Sequence, residues 1–461
     1  MKRQKVTALG LVTVMAISIA ACGSSGNSKT EEQNNNETAS LKSTESSQNA
    51  NVKQKSGTET NNKPITIDFW NSWTGDDGAL LTELVDDFNA TNQYGISIAM
   101  NIMPSNEMND KLATSMTAGT AAPLLLYNTN LKYTYGREGL LTNMDEIFDK
   151  TSLNKEDFNS AVMDLGNYDG VDYYIPMQCC TYYMIWNKTL FKNAGLDPEM
   201  PPETWDQWWE YADKITDPSN NVYGSGISSD QPWPNLQALL ECGGPVVTGD
   251  SKKGFENHLS DNQGYEKWLA SYKASNDKGS NANMTGSDTG NAFIAGTVGM
   301  TLSGPWLLAG CKENNIDYGV AMIPYGDYGK AYPLLGAGFA IPSSATEDQK
   351  IAAFRFIEWW FKGNEQTDKP AIVRWSTEIG YPAFYKPATE DPEYRANNDI
   401  VIMSEYGDYG CQFVPNDYPN LFPMGNDVLV PLFESVVAGD DINGALDTAQ
   451  SAADGYLPEK Q

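Results

Sequence analysis

The stretch richest in usable chemistry is Asn291–Leu308 (NAFIAGTVGMTLSGPWLL). Val298–Leu302 reads as a strand, Ser303-Gly304 as a tight turn, and Pro305 suits the first turn of a helix. Trp306 then sits beside backbone N–H groups that a helix start leaves unpaired. An aromatic face next to hydrogen-bond donors suits a hydroxylated ligand; a Trp packed under the turn fits the same spacing. Covalent and metal chemistry find less support. The single histidine, His258, lies in a polar stretch, and no CxxC or Cys/His spacing of a zinc site occurs. Acidic pairs such as Asp76-Asp77 and Asp440-Asp441 sit beside glycine, as solvated loop charges do. None stands in an apolar setting that would raise a carboxyl for acid catalysis, which speaks against a glycoside hydrolase. No cofactor or metal is expected.

The N-terminus carries its own chemistry. Met1–Lys5 is basic, Val6–Ala21 is apolar and closes on small residues, and Cys22 follows Ile19-Ala20-Ala21. The order of charge, apolar core and small-residue site marks a signal peptide over 1–21. The apolar run is shorter than the roughly 20 residues that span a bilayer. Its end resembles the lipobox of bacterial lipoproteins, in which the cysteine is diacylated and becomes the mature terminus. Acyl chains contribute about 0.8 kcal/mol per buried CH₂, enough in combination to anchor stably. The expectation is export, with Cys22 held at the outer face of the cell membrane. Five further cysteines remain, an odd number. Cys179-Cys180 are either a vicinal disulfide or, better, small buried thiols.

Elements must position these groups. Gly23–Lys63 has no aromatic and almost no aliphatic residue, so it cannot bury enough surface to order itself and reads as a tether. Its reach is roughly 35 Å root-mean-square. From Pro64 the pattern is strand (Ile65–Trp70), loop (Asn71–Gly78), helix (Ala79–Asn89), strand (Tyr94–Met103), helix (Asn106–Ala118) and buried strand (Pro123–Tyr127). That alternation is the α/β signature. Ligands in such sheets bind beyond the carboxyl ends of strands, nominating Asn71–Asp76 and Asn128–Asn130. Asp169–Trp186 reads as two strands broken at Pro176–Cys180; Thr204 and Thr346 read as helix caps. Trp233, between two prolines in SSDQPWPN, reads as a loop residue.

The chain has 461 residues, enough for two domains, with 31 basic against 60 acidic groups. Residues 1–63 hold eight of the basic and five of the acidic groups, which leaves the body at −32. So negative a surface repels phosphate backbones, which excludes nucleic acid as partner. Within that polar body stand 12 Trp, 24 Tyr and 15 Phe, most of them core material, but some suited to sugar rings.

In order along Pro64–Gly455, ITIDFW, IPMQCCTYYMIWNKTLFKNAGLDPEMPPETWDQW, FIAGTVGMTLSGPW, YGVAMIPYG, LLGAGFAI and EIGYPAF resemble family 1 extracellular solute-binding proteins of ABC importers, the maltose-binding-protein-like group. The resemblance implies a periplasmic-binding-protein-like fold, two α/β lobes joined by a hinge with the ligand cleft between them. Lobe 1 is expected at 64–178 plus 335–380 and lobe 2 at 182–332 plus 381–461. Crossings fall near Met177–Thr181, Tyr332–Gly336 and Ile379–Pro382. Carried over by position, the ligand site comprises Asn71, Trp73, Glu107, Asn128, Asn130, Cys180, Thr181, Trp233, Ser303, Trp306, Gly336, Ala337 and Tyr381. The implied function is not enzymatic: a monomer captures a mono- or oligosaccharide and delivers it to membrane permease subunits. The alternative within the same family is a glycerol-3-phosphate or glycerophosphodiester ligand, to which NAGLDPEMPPETW and GALDTAQSAAD are similar. Those relatives hold phosphate with an Arg; here Asn426, in Met424–Val430, falls about there.

Overall fold

The computed structural model describes residues 64–129 and 132–459. The signal peptide, Cys22, the tether and Asn130 lie outside the described residues.

Strand β1 (Ile65–Asn71) buries Ile67 and Phe69 while Thr66 and Asp68 face outward, its last residues Trp70 and Asn71 are both buried, and helix α1 (Asp76–Thr91) follows. Leu80, Leu81, Leu84, Val85 and Phe88 on α1 recur at helical spacing and are all buried. Next come β2 (Ile96–Ile102), α2 (Ser105–Ala118) and β3 (Leu124–Asn128). Helix α2 stops at Gly119, whose φ of 66° is cheap only for glycine. β4 (Ile175–Cys180) then leads directly to β5 (Tyr183–Asn187). Further along lie α3 (Trp205–Ile215), β6 (Tyr223–Gly226), α4 (Pro232–Gly243), α5 (Gln263–Lys278) and α6 (Gly286–Ile294). β7 (Val298–Ser303), α7 (Trp306–Glu313), β8 (Tyr318–Ala321) and β9 (Leu335–Ala340) complete the sheets. Helices α8 (Glu347–Lys362), α9 (Ala371–Ile379) and α10 (Asn398–Glu405) come before the C-terminal pair α11 (Val430–Ala438) and α12 (Ile442–Asp454).

Two sheets result. The first runs β2-β1-β3-β9-β4, with β2 and β3 parallel to β1 and β9 antiparallel to both β3 and β4. The second runs β8-β5-β7-β6, with only β6 and β7 parallel. Helix α8 seals the first sheet: Phe356 meets Phe69 at 5.8 Å and Trp360 meets Phe339 at 5.5 Å. Its start is fixed by Thr346 and Gln349, which cap each other's free N–H groups; Thr204 and Gln207 do the same for α3. On the second sheet Trp205, Trp208, Ala212 and Ile215 form the buried stripe of α3.

Three local expectations change. The break near Pro176–Cys180 falls instead at Thr181-Tyr182, because β4 is an edge strand where a proline is tolerated. A register shift opposite Ala337/Gly338 absorbs the irregularity. Trp233 is not in a loop: Pro232 opens α4, a position where its missing N–H costs nothing, so Trp233 lies in the first helical turn. The last passage between sheets comes later than Ile379–Pro382. Tyr385 is buried on Phe158 and Phe361 beside the first sheet, at 4.9 and 5.1 Å, and only α10 reaches the second. There Tyr318 on β8 donates to Asp399 at 2.7 Å, and Lys312 pairs with the same carboxylate.

Candidate functional site

At the carboxyl end of β1, Asn71 is fully buried. Its side-chain oxygen accepts the Trp73 N–H at 3.1 Å, and its amide nitrogen has no acceptor among the described residues. The Trp73 ring stacks on Trp375 of α9, centroids 5.2 Å apart and planes 21° from parallel. The Trp375 indole donates to Gln178 at 2.9 Å, and Gln178 sits opposite Ala337 where β4 meets β9. Tyr381 neighbours Cys180, Asp77, Tyr182 and Gln178; burial first, then Cys180, Asp77 and Tyr182, push its phenol up, against a hydrogen bond with Gln178 that lowers it. Asn71, Trp73, Cys180, Ala337 and Tyr381 thus form one neighbourhood around Gln178.

The passage from β4 to β5 continues it. Thr181 is buried and donates to Gln237 of α4 at 3.1 Å; the Gln237 amide faces the Tyr182 carbonyl. The Tyr182 ring meets Trp306 edge-on, 5.6 Å away at 87°. Trp306 leaves 51% of its surface exposed, high for so large an apolar ring. Its indole folds back over Gly304: a Cβ there would lie 2.0 Å from the ring. Beside it opens a cavity of about 320 Å³, walled by Tyr182, Ser303, Trp306, Ser228, Gln231 and Asn291 among others. Among the described residues no Lys, Arg, Asp, Glu or His lines it.

The remaining candidates separate. Asn128 pairs with Ala337 across β3 and β9, and with Gly336 it lines a smaller cavity of about 170 Å³. That cavity also takes Lys132, Tyr133, Phe413 and Phe422. The Lys132 amine is buried and donates to the Leu165 carbonyl at 2.6 Å and to Asn416 at 3.2 Å. Burial lowers it to about 7, against the pull of Asp164 and Asp172. Trp233 is packed: its ring lies on Phe422 at 5.1 Å and Phe413 at 5.9 Å, and it fills the space a side chain at Gly425 would need. Glu107 is exposed in the first turn of α2, and no contact ties it to the others. Tyr182, Gln178, Gln237 and Lys132, not among the sequence candidates, stand beside them in the structure. CCTYYMIW could have suggested Tyr182, but only the start of β5 at Tyr183 separates the two tyrosines.

Cys179 and Cys180 are free buried thiols, and burial holds Cys180 up near about 12. Among the described residues no His/Cys/Asp/Glu group could hold a metal. One acid contradicts the expectation that none sits in an apolar setting. Glu241 on α4 is fully buried, and burial raises its carboxyl well above the usual range. It lines neither the cavity beside Trp306 nor the one beside Asn128.

A family described as bacterial extracellular solute-binding protein matches residues 83–400. A maltotriose-binding protein of Pyrococcus abyssi is 24% identical over 315 residues, covering 64% of this chain and 61% of that one. The sn-glycerol-3-phosphate-binding periplasmic protein of Escherichia coli is 25% identical over 339 residues, 70% of this chain and 75% of that one. In fold, the chain is similar to a Streptomyces glaucescens receptor solved unliganded and with acarbose. The TM-score is 0.70 at 18% identity, covering 86% of this chain and 99% of that one. The family match spans well over half of the sequence: the chain belongs to the bacterial extracellular solute-binding proteins and works outside the cytoplasm.

Proposed function

We propose that the protein captures a neutral carbohydrate, a mono- or oligosaccharide, between its two sheets and presents it to the permease of an ABC importer. One observation carries this reading: the 320 Å³ cavity beside Trp306 has hydroxyls, amides and two aromatic rings in its wall but no charged side chain. Ring faces cover the C–H surface of a sugar, and amides and hydroxyls take its OH groups. A phosphate dianion there would lose water without gaining a cation, at a cost of several kcal/mol. The maltotriose-binding relative and the acarbose-bound structure agree with this ligand class.

The glycerol-3-phosphate-binding relative favours the alternative. Against it, Asn426 is exposed where the resemblance would place a phosphate-holding Arg. In this reading the two sheets and their helices act as lobes, and a sugar touching Tyr381 on one side and Trp306 on the other favours the closed arrangement. The passage at Thr181-Tyr182 is one hinge strand. Lipid on Cys22 keeps the monomer at the membrane, and its work is binding, not catalysis.

A thermal-shift screen across neutral mono- and oligosaccharides tests the reading. A sugar that raises Tm for the wild type and much less for Trp306→Ala is expected. No saccharide response at all overturns it.

A further inference from the structure

A third cavity lies where α3, α5 and the loop around Tyr325 meet. Its volume is about 140 Å³, and it shares no lining residue with the cavity beside Trp306. Trp205, Trp209, Trp268 and Tyr325 supply aromatic wall. Trp209 stacks on Trp205 at 5.9 Å and 29°, and Trp268 meets Trp205 edge-on at 5.4 Å. The indole N–H groups of Trp205 and Trp268 are buried without an acceptor among the described residues. The same holds for Trp359 and Trp360 away from this cavity, so the unpaired indoles do not by themselves mark it; the aromatic wall and charged rim set it apart. At the rim, the Lys267 amine stands 3.7 Å from Asp206 and 3.6 Å from Asp327, all three well exposed.

The chemistry narrows the guest. A cation would meet Lys267, and an anion would meet two carboxylates on a strongly acidic body. A purely apolar guest would strip water from the charged rim without replacing it. A neutral ring with one apolar face and hydroxyls at its edge satisfies both wall and rim. A cavity of roughly 150 Å³ admits one six-membered ring, so this one has room for a single ring and not for a chain.

We propose that this cavity is a second, independent carbohydrate site that takes one neutral pyranose unit, stacked between Trp209 and Tyr325 and hydrogen-bonded to the Asp206–Lys267–Asp327 rim. The unit could be a free monosaccharide or the end residue of a glycan outside the cell. This site stands whether or not the cleft binds sugar.

Indole N–H resonances of the full chain carrying Trp306→Ala, titrated with D-glucose, D-galactose, D-xylose and a long dextran, test it. Trp209→Phe assigns the Trp209 signal. Saturable shifts of the Trp209 and Trp268 signals are expected at millimolar sugar. Ser271→Tyr fills the cavity without removing a ring and should weaken those shifts at least tenfold while its urea midpoint stays put. Saturation by a monosaccharide identifies a free sugar, and a response to dextran alone identifies a chain end. Signals that no saccharide moves, or shifts that persist unchanged in Ser271→Tyr, overturn the proposal.

Discussion

Gly304→Ala probes recognition without removing any ring. The new Cβ would lie 2.0 Å from the Trp306 indole and 2.2 Å from its next ring carbon. Ordinary carbon contacts begin near about 3.5 Å, so the indole must move by about 1.5 Å. It can, because it is half exposed and flexible, at a rotamer cost of about 0.5–1.5 kcal/mol. Gly304 is not among the positive-φ glycines, so alanine adds no backbone strain there. Reduced unfolded-chain entropy returns about 0.4–1 kcal/mol, leaving net stability within about 1 kcal/mol of wild type. Binding should suffer more. If the indole covers a sugar face, displacing it forfeits up to about 1–3 kcal/mol by analogy with aromatic platforms that stack bases. That is roughly a 5- to 150-fold weaker Kd. Calorimetric titration with the best saccharide, beside a urea midpoint, reads both quantities. A Gly304→Ala protein that binds sugar as wild type does refutes the placement of Trp306 in recognition.

Trp233→Ala should behave oppositely, because its ring packs on Phe413 and Phe422. Stability should fall by about 3 kcal/mol while Kd changes only a few-fold, read by urea midpoint and titration. Lys132, lowered to about 7 from its ordinary 10.5 by burial, predicts a pH dependence. Between those values the unfolded chain binds the extra proton, so this group's contribution to stability rises with pH, by at most about 1.4 kcal/mol per unit. The stability of wild type minus that of Lys132→Met should therefore grow from pH 6 to pH 9, and a flat difference would exclude the effect. Cys22→Ser should move the protein from the membrane to the soluble fraction, and wild type found wholly soluble with an unmodified Cys22 would end the lipoprotein reading.

Most of what positions the Trp306 region was legible locally. β7 and the helix after Pro305 follow from short-range rules, as do the caps at Thr204 and Thr346; the strand runs one residue further than expected, which puts the turn at Gly304-Pro305. Long-range packing was not legible. The two prolines around Trp233 suggested a loop, yet its partners Phe413 and Phe422 lie far along the chain, and nothing near Trp233 announces them. Tyr385 likewise delays the last passage between sheets through contacts with Phe158 and Phe361 that no periodicity encodes. Buried ionisable groups were hidden for the same reason. Lys132 follows a strand end and Glu241 stands on a helix, and their desolvation exists only once distant elements close over them. Tyr182 was concealed by its twin: two adjacent tyrosines at a passage between sheets give no signal of which one meets Trp306.

The uncharged cavity beside Trp306 is expected to receive a neutral sugar. Calorimetry on the wild-type protein with its best neutral saccharide and with glycerol-3-phosphate, under the same buffer and salt, tests it most directly. The saccharide should bind at least about tenfold more tightly, a difference of about 1.4 kcal/mol or more. Tight binding of the phosphate ester with no heat from any sugar would contradict it.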